Sequence, residues 1–107
     1  MSEETPNVRL DPAKQRFVLE VDGEYAGLAQ FVERGDAWVF THTVVDDRFE
    51  GRGFASRLVR AALDGARDAG RRIVPICPFV SAYLGKHDDW ADLVDQPSDE
   101  LHTSLLD

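Results

Sequence analysis

The sequence has 107 residues, 43% of them hydrophobic, and a formal net charge of −8, which suits one domain with a single core and no membrane span. The negative charge argues against nucleic acid and membranes as partners and would attract a cationic amine, although it can also serve solubility alone. Cys77 is the single cysteine, so an intramolecular disulfide and a cysteine-based zinc site are excluded, and the three histidines lack metal-ligand spacing. We expect a cytoplasmic protein that binds no metal.

The first half of the chain alternates between apolar and polar residues, as β-strands do. In one segment Phe17, Leu19 and Val21 fall on one face, and Asp22–Gly23 then supplies the positive backbone dihedrals of a tight hairpin turn. The predicted strands are a short one at Val8–Leu10 and longer ones at Arg16–Val21, Tyr25–Glu33 and Ala37–Val45. Their short connections predict an antiparallel meander.

The second half of the chain begins with helical spacing. Apolar residues recur at three- and four-residue intervals from Phe54 to Ala69, and Gly70 suits the left-handed residue that ends such a helix. The elements predicted to follow are a strand at Arg72–Ile76, a proline-started helix at Pro78–Lys86 and a turn at Asp89–Val94. This order predicts an α/β fold with a mixed sheet. We divide the chain into a polar N-terminal segment at 1–15, one domain at 16–95 and a C-terminal tail at 96–107.

A glycine-containing turn connects the last meander strand to the long helix, with the sequence Arg48-Phe49-Glu50-Gly51-Arg52-Gly53. Its glycines let the backbone approach a ligand, and the following helix adds free first-turn amides and the positive end of its dipole. A diphosphate fits such a turn, although glycine turns before helices are also common as plain connections. The segment lacks the Gly-Lys-Ser/Thr of a nucleotide-hydrolysing P-loop. No acidic residue ends the strand at Ile73–Ile76, as a dinucleotide site would require.

One motif resembles the acyl-CoA signature of the GNAT acetyltransferase superfamily, Arg/Gln-x-x-Gly-x-Gly/Ala, and it extends from Val44 to Ala55. Flanking residues are similar to the small YjdJ-like branch of single-domain members: His42-Thr43-Val44, Pro75-Ile76-Cys77-Pro78-Phe79-Val80, Tyr83 and Lys86-His87. The resemblance extends from about Phe17 to Val94 and implies acetyl-CoA as co-substrate. The residues that it implies at the coenzyme are Val44, Val45, Arg48, Phe49, Glu50, Gly51, Arg52, Gly53, Phe54, Ala55, Ser56, Cys77, Pro78, Phe79 and Tyr83.

The resemblance also implies a layout for the site. The strands at Ala37–Val45 and Arg72–Ile76 would splay apart and hold the pantetheine arm between them, with the pyrophosphate on amides around Phe49–Ala55. Pro75 suits this layout because a proline cannot complete a ladder hydrogen bond. Full-length members carry two helices after the first strand, which wall the acceptor site, and the tight Asp22–Gly23 turn leaves no room for them here. An open acceptor site suits a bulky amine, such as a lysine on a protein.

His42 is the candidate general base. Strand alternation places it on the same face as Trp38, Phe40 and Val44, and a histidine titrates near neutrality. Without the resemblance, a hydrogen-bonded histidine in a half-buried strand is the simpler interpretation. The resemblance instead implies a position beside the acetyl group.

Cys77 and Tyr83 are the other two catalytic candidates. Cys77 precedes a proline-started helix, whose N-terminus would stabilise a thiolate, and the resemblance implies a catalytic role; small buried cysteines are otherwise inert packing. Tyr83 matches the tyrosine that protonates the coenzyme thiolate in related enzymes, and as a core aromatic residue on an amphipathic helix it has an equally good structural explanation.

These features leave three functions open. The first is an acetyl-CoA-dependent N-acetyltransferase acting on an amine, and the second is a non-catalytic acyl-CoA-binding module or adaptor. The third is a small α/β interaction domain without a coenzyme. Coenzyme binding separates the third from the other two, and acetyl transfer separates the first from the second.

Overall fold

A five-stranded mixed sheet with two α-helices forms the computed structural model, which describes residues 6–51 and 53–95. The strands are β1 (Pro6–Asp11), β2 (Arg16–Val21), β3 (Glu24–Arg34), β4 (Ala37–Val45) and β5 (Arg72–Pro75). The helices are α1 (Phe54–Asp68) and α2 (Pro78–Lys86), and short 3₁₀ turns lie at Pro12–Lys14, Asp47–Phe49 and Ala91–Leu93. The strand order is β1-β2-β3-β4-β5, antiparallel except that β5 runs parallel to β4. The predicted α/β mixed sheet is confirmed. The proposed tail at 96–107 lies outside the described residues, and the division into domains stays a prediction.

A two-residue turn joins β2 directly to β3. Asp22 and Gly23 have positive φ angles of 52° and 85°, and left-handed conformations at both positions match the right-handed twist of the flanking strands. Because the turn takes only two residues, no helix is inserted between β2 and β3, as the sequence predicts.

The core lies between α1 and one face of the sheet. Gly65 lets α1 approach β2 closely, since a Cβ there would lie 2.6 Å from Cζ of Phe17. The predicted end of the helix is also confirmed, because Gly70 follows it with a φ of 72°. The large side chains of this core are Phe17, Leu19, Phe31, Trp38, Phe40, Phe49, Phe54, Leu58, Leu63, Ile73, Tyr83 and Trp90. No helix in the described ranges is long and apolar enough to cross a bilayer.

β4 and β5 pair over four residues and then separate. Their ladder ends at the pair Phe40–Pro75, so the rest of β4, Thr41–Val45, has no strand on its β5 side within the described residues. At this point the carbonyl of Phe40 accepts hydrogen bonds from the amides of both Ile76 (3.0 Å) and Cys77 (2.9 Å). Pro75 is not the cause of the separation, because the amides of Arg72 and Ile76 donate toward β4 and successive backbone groups of a strand point to opposite sides. The chain turns away into α2 at Cys77. The strands therefore splay at their C-terminal ends, as predicted, and leave a gap.

A bidentate ion pair ties the chain after α2 back to β5. Nε and Nη2 of Arg72 donate to the carboxylate of Asp95 at 2.6 and 2.8 Å, and the Asp95 amide donates to the Ile73 carbonyl at 2.8 Å. The hydrogen bonds from Arg72 lower the pKa of Asp95 from its usual value.

Candidate active site

Two glycines in the left-handed conformation form the connection from β4 to α1. Gly51 has a φ of 79° and Gly53 a φ of 77°, which would cost another L-residue about 1–2 kcal/mol. Gly53 is the N-cap of α1 and has no side chain to bond the first helical amides. A Cβ built on either glycine would meet no atom within 4 Å. The approach to the start of α1 is therefore open.

The amides that precede these glycines are already used inside the turn. The Arg48 amide donates to a carboxylate oxygen of Asp46 at 3.0 Å, and the Phe49 amide donates to the Asp46 carbonyl at 2.8 Å. The Glu50 amide donates to the Asp47 carbonyl at 3.3 Å. The backbone hydrogen bond from Arg48 lowers the pKa of Asp46, against the opposing effect of burial. These three amides hold the turn together, so they do not offer free donors to an anion.

The free donors lie at the start of α1. Its first hydrogen bond to the N-cap runs from the Arg57 amide to the Gly53 carbonyl at 3.2 Å. The amides at Phe54, Ala55 and Ser56 therefore have no intrahelical acceptor. They lie at the positive end of the helix dipole. The amides available to an anion therefore begin later in the chain than Phe49, which is the first residue of the range predicted to hold the pyrophosphate.

An open cavity of about 400 Å³ lies beside this turn, a size found in small-molecule sites. It joins the end of β4 to the first turns of α1 and α2. Its lining residues are Thr43, Val45, Phe49, Glu50, Gly51, Gly53, Phe54, Ala55, Ser56 and Phe79. All except Thr43 belong to the set of residues predicted to contact the coenzyme. Coenzyme binding by these residues stays a prediction.

Some residues of the predicted set do not line this cavity. Val44 lies on the other face of the sheet with 52% of its surface exposed, and Pro78 is the exposed first residue of α2. The Arg48 side chain is engaged elsewhere, since its Nε lies 3.3 Å from Asp46 and its Nη1 lies 3.8 Å from Glu24. Arg52 lies outside the described residues.

A β-bulge at Thr41 changes which residues of β4 face the core. Phe40 pairs with Phe31, but the next pair in the ladder is His42 with Gln30, so no residue of β3 stands opposite Thr41 in the register. One extra residue in a strand shifts the alternation of every side chain that follows it.

The expectation that His42 shares a face with Trp38 and Phe40 is therefore wrong. Trp38 and Phe40 precede the bulge and lie in the core. His42 follows it, is exposed and shares the opposite face with Val44. Its proposed role as a base stays a prediction, now for a ligand that approaches from that opposite face.

Thr43 occupies the position that uninterrupted alternation assigns to His42. It pairs with the buried Ala29, lines the cavity and accepts a hydrogen bond from the Cys77 thiol, with 3.5 Å between Sγ and Oγ1. Cys77 is only 5% exposed and is the N-cap of α2. The two side chains thus meet across the gap between β4 and β5. The sequence offers no signal for the bulge, because Val44 and Val45 are both apolar and either could face the core.

Tyr83 lies in a second cavity, which does not include Thr43 among its lining residues. Its ring stacks on His87 with centroids 4.3 Å apart and lies 5.9 Å from the ring of Trp90. These are the contacts of a packed aromatic residue, and the predicted transfer of a proton to a thiolate stays a prediction.

A family profile provides the decisive comparison. A profile described as GCN5-related N-acetyl-transferase matches residues 16–93, which include β2 to β5, both helices and the glycine turn. The chain belongs to the GCN5-related N-acetyltransferase family. No curated protein sequence is similar enough to this chain to count as a match.

Solved structures share the GCN5-related fold. A GCN5-like protein from Staphylococcus aureus has a TM-score of 0.65 at 19% identity, covering 90% of this chain and 94% of that one. N-acetylglutamate synthase from Neisseria gonorrhoeae, solved with coenzyme A and N-acetyl-glutamate, has a TM-score of 0.56 at 20% identity, covering 67% of this chain and 18% of that one. Ard1 from Thermoplasma volcanium has a TM-score of 0.50 at 23% identity, covering 55% of this chain and 40% of that one. At these identities the likeness concerns the fold.

Proposed function

We propose that this chain is an acetyl-CoA-dependent N-acetyltransferase that transfers an acetyl group to an amine. One juxtaposition carries the proposal: the cavity beside the free amides of α1 extends to Thr43, which meets Cys77 in the gap between β4 and β5. The sequence around His42 and Cys77 supports a place in the YjdJ-like branch. The free thiol of Cys77 suits a reducing compartment such as the cytoplasm.

Most of the contacts that hold the coenzyme would come from backbone groups. Its diphosphate fits the amides of Phe54, Ala55 and Ser56, where the helix dipole adds to the attraction. Its amide-containing arm fits the free edge of β4 at Thr41–Val45, whose backbone groups on that side need partners. The thioester supplies an activated acetyl group for transfer.

The acceptor amine is proposed to approach from the sheet face that carries His42. His42, Val44 and Tyr25 are all exposed, and no helix is inserted between β2 and β3 to cover the acceptor side. Such a site admits an amine that is attached to a bulky molecule, and the net charge of −8 attracts a cation. These features support a lysine side chain of a protein or peptide as the acceptor.

Direct attack by the amine suits the geometry better than a covalent intermediate on Cys77. In a ping-pong sequence His42 would remove the thiol proton and Cys77 would take the acetyl group. However, Cys77 contacts Thr43, and consecutive residues of a strand such as His42 and Thr43 point to opposite faces.

In the direct route the amine nitrogen attacks the thioester carbonyl and His42 accepts the proton that the nitrogen loses. The carbon–sulfur bond then breaks, and the leaving thiolate takes up a proton. Tyr83 can donate that proton only if the sulfur reaches the second cavity. Cys77 and Thr43 shape the gap.

Intact-mass measurement after mixing the chain with acetyl-CoA, without acceptor, separates the two routes. We expect no stable adduct and substantial transfer activity in Cys77→Ala. A gain of one acetyl group that disappears in Cys77→Ala, together with loss of transfer in that variant, would establish the ping-pong route instead.

A non-catalytic acyl-CoA-binding module is the second candidate function. The α1 amides and the cavity beside them do not include His42, which lies on the opposite face, so the coenzyme could bind without being used. Full transfer activity in both Cys77→Ala and His42→Ala would remove their catalytic roles, and absence of any transfer would favour the binding module.

Thermal-shift measurements with acetyl-CoA, CoA, ATP and NAD test coenzyme use. We expect only the first two to stabilise the chain, by about 2.7 kcal/mol at 100 times the Kd. Transfer to lysine-containing peptides should then be faster than transfer to small neutral amines, and added salt should slow it. A strong, salt-insensitive preference for one small uncharged amine would refute the acceptor proposal, and absence of stabilisation by acetyl-CoA would refute coenzyme use.

A further inference from the structure

The cavity beside the glycine turn has a second cavity as its neighbour, along α2. The second cavity has a volume of about 370 Å³ and shares Ser56 and Phe79 with the first. Its other lining residues are Ala82, Tyr83, Lys86 and His87. A ligand whose diphosphate lies on the first amides of α1 can therefore extend past Ser56 and along α2.

The walls of the second cavity suit a nucleobase. Phe79 is 41% exposed, so part of its ring is free to contact a ligand. His87 is exposed and stacks on the buried Tyr83 with centroids 4.3 Å apart, so its ring supplies a second aromatic surface. Aromatic side chains of this kind stack on bases without regard to sequence.

Lys86 brings positive charge to an acidic chain. Among the described residues that line the two cavities, Lys86 is the only lysine or arginine. It has no ion-pair partner in the described part of the chain. Glu50 lines the first cavity, and Asp88 and Asp89 directly follow His87. The negative charge of an anion in the second cavity must therefore be balanced by Lys86. An ammonium group binds a phosphate as a point charge.

We propose that Lys86, assisted by His87, binds the 3′-phosphate of coenzyme A, with the adenine against Phe79. This inference rests on the proposed function, because it extends the same coenzyme from the α1 amides into the second cavity. Lys86 then determines specificity, since it distinguishes coenzyme A from its 3′-dephospho form, which has the same diphosphate and thiol.

Two other placements compete with this one. A groove on the other side of α1 contains Arg57 and Arg60, but it shares no lining residue with the first cavity. Alternatively, the coenzyme sulfur rather than the nucleotide could enter the second cavity, which would bring it to Tyr83. Each placement predicts that a different substitution has an effect, at Lys86, Arg57 or Tyr83.

Isothermal titration with CoA and 3′-dephospho-CoA distinguishes these placements. We expect the parent chain to bind CoA about tenfold more tightly, equivalent to about 1.4 kcal/mol. Lys86→Ala should abolish that preference and leave the Kd of dephospho-CoA unchanged. Lys14→Ala is the matched control, since it removes the same charge from an exposed turn after β1, and both it and Arg57→Ala should keep the preference.

Several outcomes would overturn the proposal. Equal weakening of both ligands in Lys86→Ala, or no weakening, would remove the phosphate contact. Loss of the preference in Arg57→Ala alone would move the phosphate to the other groove. If Tyr83→Phe reduces turnover and leaves the Kd values unchanged, the coenzyme sulfur rather than the nucleotide lies in the second cavity. If the parent binds neither ligand, the proposed function itself fails; if it binds both and Lys86 has no role, only this inference fails.

Discussion

Substituting Gly53 tests the coenzyme site through the backbone. Gly53→Ala places a methyl group at the N-cap of α1, where φ is 77° and a Cβ meets no atom within 4 Å. The change creates no internal clash, but it obstructs a ligand that approaches the Phe54 amide. Gly70→Ala is the matched control, because Gly70 lies beyond the other end of α1 with a φ of 72° and equally open surroundings.

The two variants should lose similar stability and differ in their response to ligand. The left-handed conformation costs an L-residue about 1–2 kcal/mol, and each kcal/mol lowers the Tm of a domain of this size by roughly 4–8 °C. Acetyl-CoA at 100 times the parent Kd restores about 2.7 kcal/mol to a chain that binds normally. If the methyl group at Gly53 weakens binding about tenfold, or about 1.4 kcal/mol, the stabilisation of Gly53→Ala falls to about half that of Gly70→Ala.

Thermal unfolding with and without acetyl-CoA measures both quantities, and isothermal titration gives each Kd independently of stability. Equal ligand-induced shifts and equal Kd values in Gly53→Ala and Gly70→Ala would refute the placement of the diphosphate on the first amides of α1.

Two further predictions concern stability. Gly65→Ala should lower the Tm, because its Cβ would lie 2.6 Å from the Phe17 ring and overpacking costs about 1–3 kcal/mol, which outweighs the roughly 1 kcal/mol by which alanine favours a helix. Gly85→Ala, in open surroundings on α2, should raise the Tm. A lower Tm for Gly85→Ala would contradict the reasoning. Asp95→Asn should lower the Tm at neutral pH, because hydrogen bonds from Arg72 lower the pKa of Asp95 in the folded state. That stabilisation is present above the unfolded pKa of about 3.9 and is lost as the pH falls through the folded pKa. The Tm values of parent and variant should therefore converge in acid. A Tm difference that stays constant with pH would contradict a stabilising role for the Asp95 carboxylate.

The hairpin and both helices can be predicted from the sequence because local chemistry specifies each of them. Asp22–Gly23 supplies the two left-handed residues of the turn, Gly70 follows the end of α1, and Pro78 begins α2. Each signal lies within one or two residues of the feature that it specifies. Knowledge of which strands pair is not required.

The arrangement of side chains around the gap is harder to predict because it depends on strand pairing. The bulge at Thr41 exists only in the ladder with β3, and without it alternation assigns His42 to the core side and Thr43 to the opposite face. The use of the Arg48 amide by Asp46 likewise depends on the 3₁₀ geometry of the turn, so the glycine motif alone overstates how many amides are free.

Acetylation of a lysine-containing peptide, followed by mass over time, tests the central claim most directly. The chains to compare are the parent, His42→Ala and Gln30→Ala; Gln30 is an exposed residue that pairs with His42 on the same sheet face. We predict that the peptide gains acetyl groups only when both acetyl-CoA and the parent chain are present. His42→Ala should slow the reaction by about 10²–10⁴-fold, as loss of a general base does, and Gln30→Ala should leave it nearly unchanged. A peptide that gains no acetyl group while the chain binds acetyl-CoA would contradict the claim of catalysis.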